Sequence, residues 1–187
     1  MHRTYPDASP GPFFFFVLTS FLLTLTMSMI FRSIASLSRT LTQALAPAAI
    51  LILGLIIYTG FAIPVGYMRG WSRWINYVDP IAYGFESLMI NEFHGREYAC
   101  SIFIPGYPNA TGRERVCSSV GSTPGSNVVN GDAYINSAYQ YYHSHKWRNL
   151  GIVIAFMLFF MVIYITATGS SSPVSYTHLT LPTNREV

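Results

Sequence analysis

The sequence predicts an all-α membrane protein: three transmembrane helices, a re-entrant or interfacial helical segment and a large extracellular loop. Three observations carry that expectation. Residues 13–31, 44–65 and 150–167 are apolar runs without one charged side chain. Each is close to the roughly 20 residues that cross a hydrocarbon core about 30 Å thick. Only 10% of the 187 residues are charged, against about 25% in a soluble domain. Aromatic residues make up 16% of the chain and gather near the ends of the apolar runs, where interfacial rings sit.

Residues 1–12 form a polar stub with Pro6, Pro10 and Pro12, too polar for the core of a signal peptide. The first span, 13–31, opens on four phenylalanines and carries Thr19, Ser20, Thr24, Thr26 and Ser28. Small hydroxyl residues let membrane helices approach and hydrogen-bond, at about 0.6–2 kcal/mol each. Helix packing is their main reading, and a substrate path the alternative. The connector 32–43 holds Arg32 and Arg39 among many hydroxyls. Short loops rich in arginine stay in the cytoplasm, so the first span runs inward and the second outward.

The second span, 44–65, organises the rest. Pro47 falls in its first turn, where a missing N–H costs little. Gly54 and Gly60 thin it, and Pro64 should end it. Leu51, Leu55, Tyr58 and Phe61 fall on one helical face. Thr59 has two readings: a hydroxyl bonded back to its own helix, or one offered to a passing ligand.

Residues 66–92 are aromatic and amphipathic, and are interrupted by Arg69, Arg73, Asp79 and Glu86. Two short helices broken at Asp79-Pro80 are expected. They either dip into the outer leaflet under a protein cover or lie on the surface as an amphipathic helix. Residues 93–147 are polar and contain Cys100, Cys117 and the Asn109-Ala110-Thr111 glycosylation sequon. An even cysteine pair in a translocated segment suits a disulfide. Lys146, Trp147 and Arg148 anchor the third span, 150–167, at the interface. Residues 169–187 have no hydrophobic period and read as a non-native tail outside the fold.

Composition also excludes functions. A net charge of +3 is too small and too dispersed for nucleic-acid binding. Lys146 is the only lysine and follows Tyr-Tyr-His-Ser-His. A phosphate-binding loop needs glycines before its lysine, so no ATP chemistry and no cofactor is expected within this chain. His94, His143 and His145 match no zinc spacing, and no metal is expected. The three spans contain no Asp, Glu, His, Lys or Cys, which argues against a membrane-embedded enzyme.

Three stretches are specific enough to carry a resemblance. They are SMIFRSIASLSRTLTQALAPA, YTGFAIPVGYMRGWSRWINYVDPIAYGFESLMINEFHGR, and VNGDAYI followed by HKWRNLGI. Together they resemble the fungal pleiotropic drug resistance ABC transporters of the ABCG type. The resemblance covers residues 13–168 and implies a partial ABC-2 transmembrane domain, the last three spans of its first half. It also implies a cysteine-paired external loop, 66–147, and a place in the plasma membrane. ATP and magnesium would belong to nucleotide-binding domains outside this chain. Those domains and a second transmembrane half would be its partners, besides the bilayer and hydrophobic small molecules. By position, the resemblance puts Leu55, Tyr58, Thr59 and Phe61 on the drug path. The rival expectation is a non-transporting anchor or receptor with a folded external loop.

Overall fold

A computed structural model describes residues 10–106 and 114–170. Asn109 and the tail from residue 171 onward lie outside the described residues. Two long helices frame the molecule, α1 (Pro10–Leu37, 28 residues) and α6 (His145–Ser170, 26 residues). Both are long and apolar enough to cross a membrane. The first apolar run continues as helix through most of the expected connector, and only residues 38–40 separate α1 from α2.

The two helices lie side by side and run the same way. Thr26 Oγ1 reaches the Val153 carbonyl at 3.3 Å, and Ser33 Oγ reaches the Phe160 carbonyl at 3.0 Å. Both pairs are 127 residues apart in the chain, and a constant offset means parallel helices. Each hydroxyl also lies 2.8 Å from a carbonyl of its own helix, Leu22 or Met29. Thr19, seven residues earlier, is likewise buried. Thr19 and Thr26 therefore lie in the packed seam, and Ser33 extends the row into the region expected to be a loop.

The second helix departs from expectation. α2 is Leu41–Tyr58, 18 residues, so it ends seven residues before the expected boundary at 65. Its start is fixed by Thr40, whose side chain accepts the Gln43 N–H, an ordinary N-cap. Its end comes at Gly60, whose φ of +94° is a left-handed conformation that glycine alone adopts without strain. Hydropathy continues through Phe61, Ala62 and Ile63, but the backbone has already turned. Phe61 therefore does not share a helical face with Tyr58.

The break at Asp79-Pro80 is present. α3 (Arg73–Tyr77) stops before it and α4 (Pro80–Phe93) starts after it. Pro80 takes the first helical position, and Asp79 Oδ1 accepts the Ile81 N–H at 2.8 Å. α4 presses a small-residue face of Gly84, Ser87 and Asn91 against α1 and α6. A Cβ on Gly84 would sit 3.0 Å from the Leu23 side chain. Ser87 donates to the Lys146 carbonyl at 3.2 Å, and Asn91 donates to the Pro12 carbonyl at 2.9 Å. The α4 chain thus moves from beside Leu23 to beside Pro12, antiparallel to α1. Eleven residues of helix separate those two levels, or about 16 Å. α4 is therefore no surface helix, since it begins well below the ends of the two helices that cover it.

The long loop carries more structure than its composition promised. β1 (Glu97–Ala99) pairs antiparallel with β4 (Val128–Asn130), and β2 (Phe103–Ile104) pairs antiparallel with β3 (Val116–Cys117). Cys100 and Cys117 form a disulfide. Closing a loop of this length removes about 3 kcal/mol of unfolded-state entropy. α5 (Gly131–Tyr139) follows β4 directly, capped by Asn130, whose side chain accepts the Asp132 and Ala133 N–H groups. Ile135 of α5 and Tyr141 pack with Ile90 of α4, and Phe85, Met89, Phe93, Tyr134 and Tyr139 close around them. The loop has its core on the helices rather than apart from them.

Candidate functional site

The four sequence-predicted path residues fall at the C-terminal end of α2, where that helix meets α3 and α4. Leu55 and Tyr58 are half-buried, and Tyr58 is the last helical residue. Its carbonyl, orphaned by the end of the helix, accepts the Asn76 side-chain N–H at 2.7 Å. The Thr59 side chain is buried, and its hydroxyl lies 2.7 Å from the Leu55 carbonyl and 2.8 Å from that of Ile56. That hydroxyl is spent inside its own helix. Phe61 is 63% exposed, with its ring edge-to-face on Phe85 of α4 at 5.5 Å. Leu55, Tyr58 and Thr59 are thus brought together as one helix terminus, whereas Phe61 stands apart on the turn beyond it.

Sequence reasoning missed the other half of this joint. Asn76 is 92% buried and ties α3 to α2. Tyr141 comes from the far side of the loop, and its phenol oxygen would be 3.0 Å from a Cβ on Gly60. Gly60 is thus fixed both by its φ and by the space Tyr141 leaves. The glycine was visible in sequence; its partner, more than eighty residues away in the chain, was not.

Beside the joint lies a cleft of about 420 Å³ whose lining includes Tyr77, Tyr83, Glu86, Tyr141, His145 and Arg148. His145 Nδ1 donates to Glu86 Oε1 at 2.8 Å, and the Tyr83 hydroxyl donates to the Tyr77 carbonyl at 3.0 Å. Burial raises the phenols of Tyr83 and Tyr141 above their ordinary range, so both remain neutral hydrogen-bonding groups at physiological pH. Asp79 is fully buried, and burial lifts its carboxyl to about 6 against two backbone hydrogen bonds that lower it. Its Oδ2 has no partner. Among the described residues, no three His, Cys, Asp or Glu side chains converge to hold a metal.

The α2 surface itself is apolar and open. Ile50, Leu53 and Ile56 are 74%, 61% and 57% exposed. The site therefore offers an apolar wall, an aromatic ring at its C-terminal end and a phenol-lined cleft beside it.

The family model described as ABC-2 type transporter matches residues 4–93, and the one described as CDR ABC transporter matches residues 103–185. The ABC multidrug transporter AFR2 of Cryptococcus neoformans var. grubii is 70% identical over 162 residues, 85% of this chain and 11% of that relative. The ABC multidrug transporter atrG of Aspergillus oryzae is 62% identical over 161 residues, 85% of this chain and 11% of the relative. The ABC multidrug transporter C of Aspergillus fumigatus is 63% identical over 164 residues, again 85% and 11%. The chain thus spans about a tenth of the length of the curated relatives it matches.

Proposed function

Because the chain belongs to the fungal ABC multidrug transporters with an ABC-2 type membrane segment, we propose that it supplies part of the membrane path of an ATP-driven exporter of hydrophobic drugs. The observation that carries this reading is the C-terminal end of α2. There an open apolar helix ends in Tyr58, and the aromatic Phe61 stands exposed next to a helix packed below the helix ends. α2 is the path-lining element, and Leu55, Tyr58 and Phe61 face the cargo. Thr59 contributes by ending the helix and not through its hydroxyl. Nucleotide-binding domains elsewhere in the full-length protein hydrolyse ATP, and a second transmembrane half covers the open face of α2.

The parallel pair supports a topology for this reading. If α1 and α6 cross the bilayer in the same sense, the chain between them crosses back. We assign that crossing to α2, 18 residues long and shorter than the two helices that are long enough to span by length and composition. Residues 66–147 then lie outside the plasma membrane, with Asn109 open to glycosylation, and residues 38–40 face the cytoplasm. The alternative, an anchor with an independent external receptor, fits less well because the loop's core is built on Ile90 of α4.

The test uses a full-length relative carrying residues 13–168 of this chain. Phe61→Asp and Tyr58→Asp should each lower drug export at unchanged surface abundance, while Thr59→Val should leave it near the parent value. Full export by both aspartate variants would remove α2 from the path.

A further inference from the structure

Of the three histidines that match no zinc pattern, His145 pairs with Glu86, and the other two meet where the end of α4 approaches α5 and α6. Those two form an unusual contact. The imidazoles of His94 and His143 stack face to face, with centroids 3.6 Å apart and planes 17° from parallel. His94 Nδ1 lies 2.9 Å from Asp132 Oδ1, and the Gly95 N–H donates to Asp132 Oδ2 at 3.1 Å. His94 ends α4, Asp132 opens α5, and His143 lies on the approach to α6. We propose that these three side chains form a proton-responsive clasp. It holds the end of α4, the start of α5 and the approach to α6 together at neutral pH, and acid loosens it.

The chemistry is that of two bases in ring contact. His94 Nδ1 and Asp132 Oδ1 share a hydrogen bond in which the carboxylate accepts. A proton taken from solvent by His143 places a cation against the His94 ring and near Lys146. The charges around the stack set the sign. Asp132 faces it from α5, and Lys146 faces it from the first turn of α6. Glu92 and Arg96, at the end of α4, bond each other at 3.0 Å, and Glu97 of β1 sits opposite Asn130 in the ladder. Burial and then the charges of His94 and Lys146 lower the pKa of His143, and Asp132 only partly opposes them. Asp132 is itself lowered: burial alone would raise it, but the hydrogen bonds from His94 and Gly95 win. It therefore stays charged while His143 titrates. A histidine with a depressed folded-state pKa contributes full stability above its unfolded value of 6.5. That contribution falls as pH drops through 6.5 toward the folded value. The clasp is closed at neutrality and strained below it. Only the pH it meets in the cell depends on the outward placement proposed above; its chemistry does not.

The test uses the whole chain in phosphatidylcholine nanodiscs, with ring-labelled histidine followed by NMR from about pH 8 to about pH 4.5. The five histidines are assigned by single glutamine substitutions. His143 should titrate below its ordinary value. His94→Gln should return His143 to about 6.5. Amide exchange at Gly95 and Gln140, corrected for intrinsic rates, should quicken roughly fivefold between about pH 7.5 and about pH 5. In His143→Gln it should not quicken. An ordinary midpoint for His143 in the wild-type chain overturns the clasp. Acid-insensitive exchange in the wild type overturns its release.

Discussion

The three-helix group of α1, α4 and α6 and the helix α2 are both rich in apolar residues, yet they use hydroxyls and glycines differently. In the group, Thr26 and Ser33 aim at a neighbour's carbonyls, and Gly84 of α4 admits Leu23. In α2, Thr59 bonds only its own helix, and a Cβ on Gly54 would meet nothing within 4 Å. Lipid tails are as apolar as leucine, so apolar surface alone does not drive helices together in a membrane. Small residues and hydroxyls do. Where they point inward, the fold is self-contained; where they do not, the helix keeps an open face.

The largest effect expected from this contrast concerns the two helix glycines. Gly84→Leu should overpack the α1–α4–α6 groove and cost about 1–3 kcal/mol, read as lower thermal retention of helix in detergent. Gly54→Leu should leave that transition unmoved. Equal losses would mean that α2 is packed as tightly as the group. Next come the hydroxyls. Thr26→Val and Ser33→Ala should each cost about 0.6 kcal/mol, with about 1.7 as a ceiling, and Thr59→Val should fall within about 0.5 kcal/mol of the parent. Chemical cross-linking between α1 and α6 should weaken in the first two variants alone.

The cap at the Asp79 break gives a test of similar size. Asp79→Ala should lose about 1 kcal/mol of α4 stability, while Asp79→Asn keeps an acceptor for the Ile81 N–H and loses less. Asp79 also tilts stability with pH. Its folded pKa of about 6 lies above the ordinary 3.8, so the folded state binds the proton more tightly. Stability should fall as pH rises from 3.8 to about 6 and then level off. Asp79→Asn should flatten that slope, and a parent chain with no slope would contradict the burial of this carboxyl.

Much of this was legible in the residues. Uncharged runs announce long helices, and Asp-Pro announces a cap followed by a first turn. A cysteine pair in a polar stretch announces a bridge. What escaped was set by single backbone angles or by distant partners. Gly60 ends α2 while hydropathy runs on. Ser33 looked like loop because Arg32 precedes it, but α1 carries both past the apolar run. The ladders of two and three residues are too short to show an alternating pattern. The histidine stack joins residues 94 and 143, a pairing that no local signal encodes.

The repeat in the α1–α6 seam restricts how this piece can move. Thr19, Thr26 and Ser33 recur at a stride of seven residues, matched by Val153 and Phe160. A slip of one residue would miss both carbonyls at once, and the next matching setting lies about 10 Å away along the axis. Gradual sliding between these helices is therefore closed off, and they travel as a single block. The bend at Gly60, which leads from α2 to the stretch before α3, carries no such repeat.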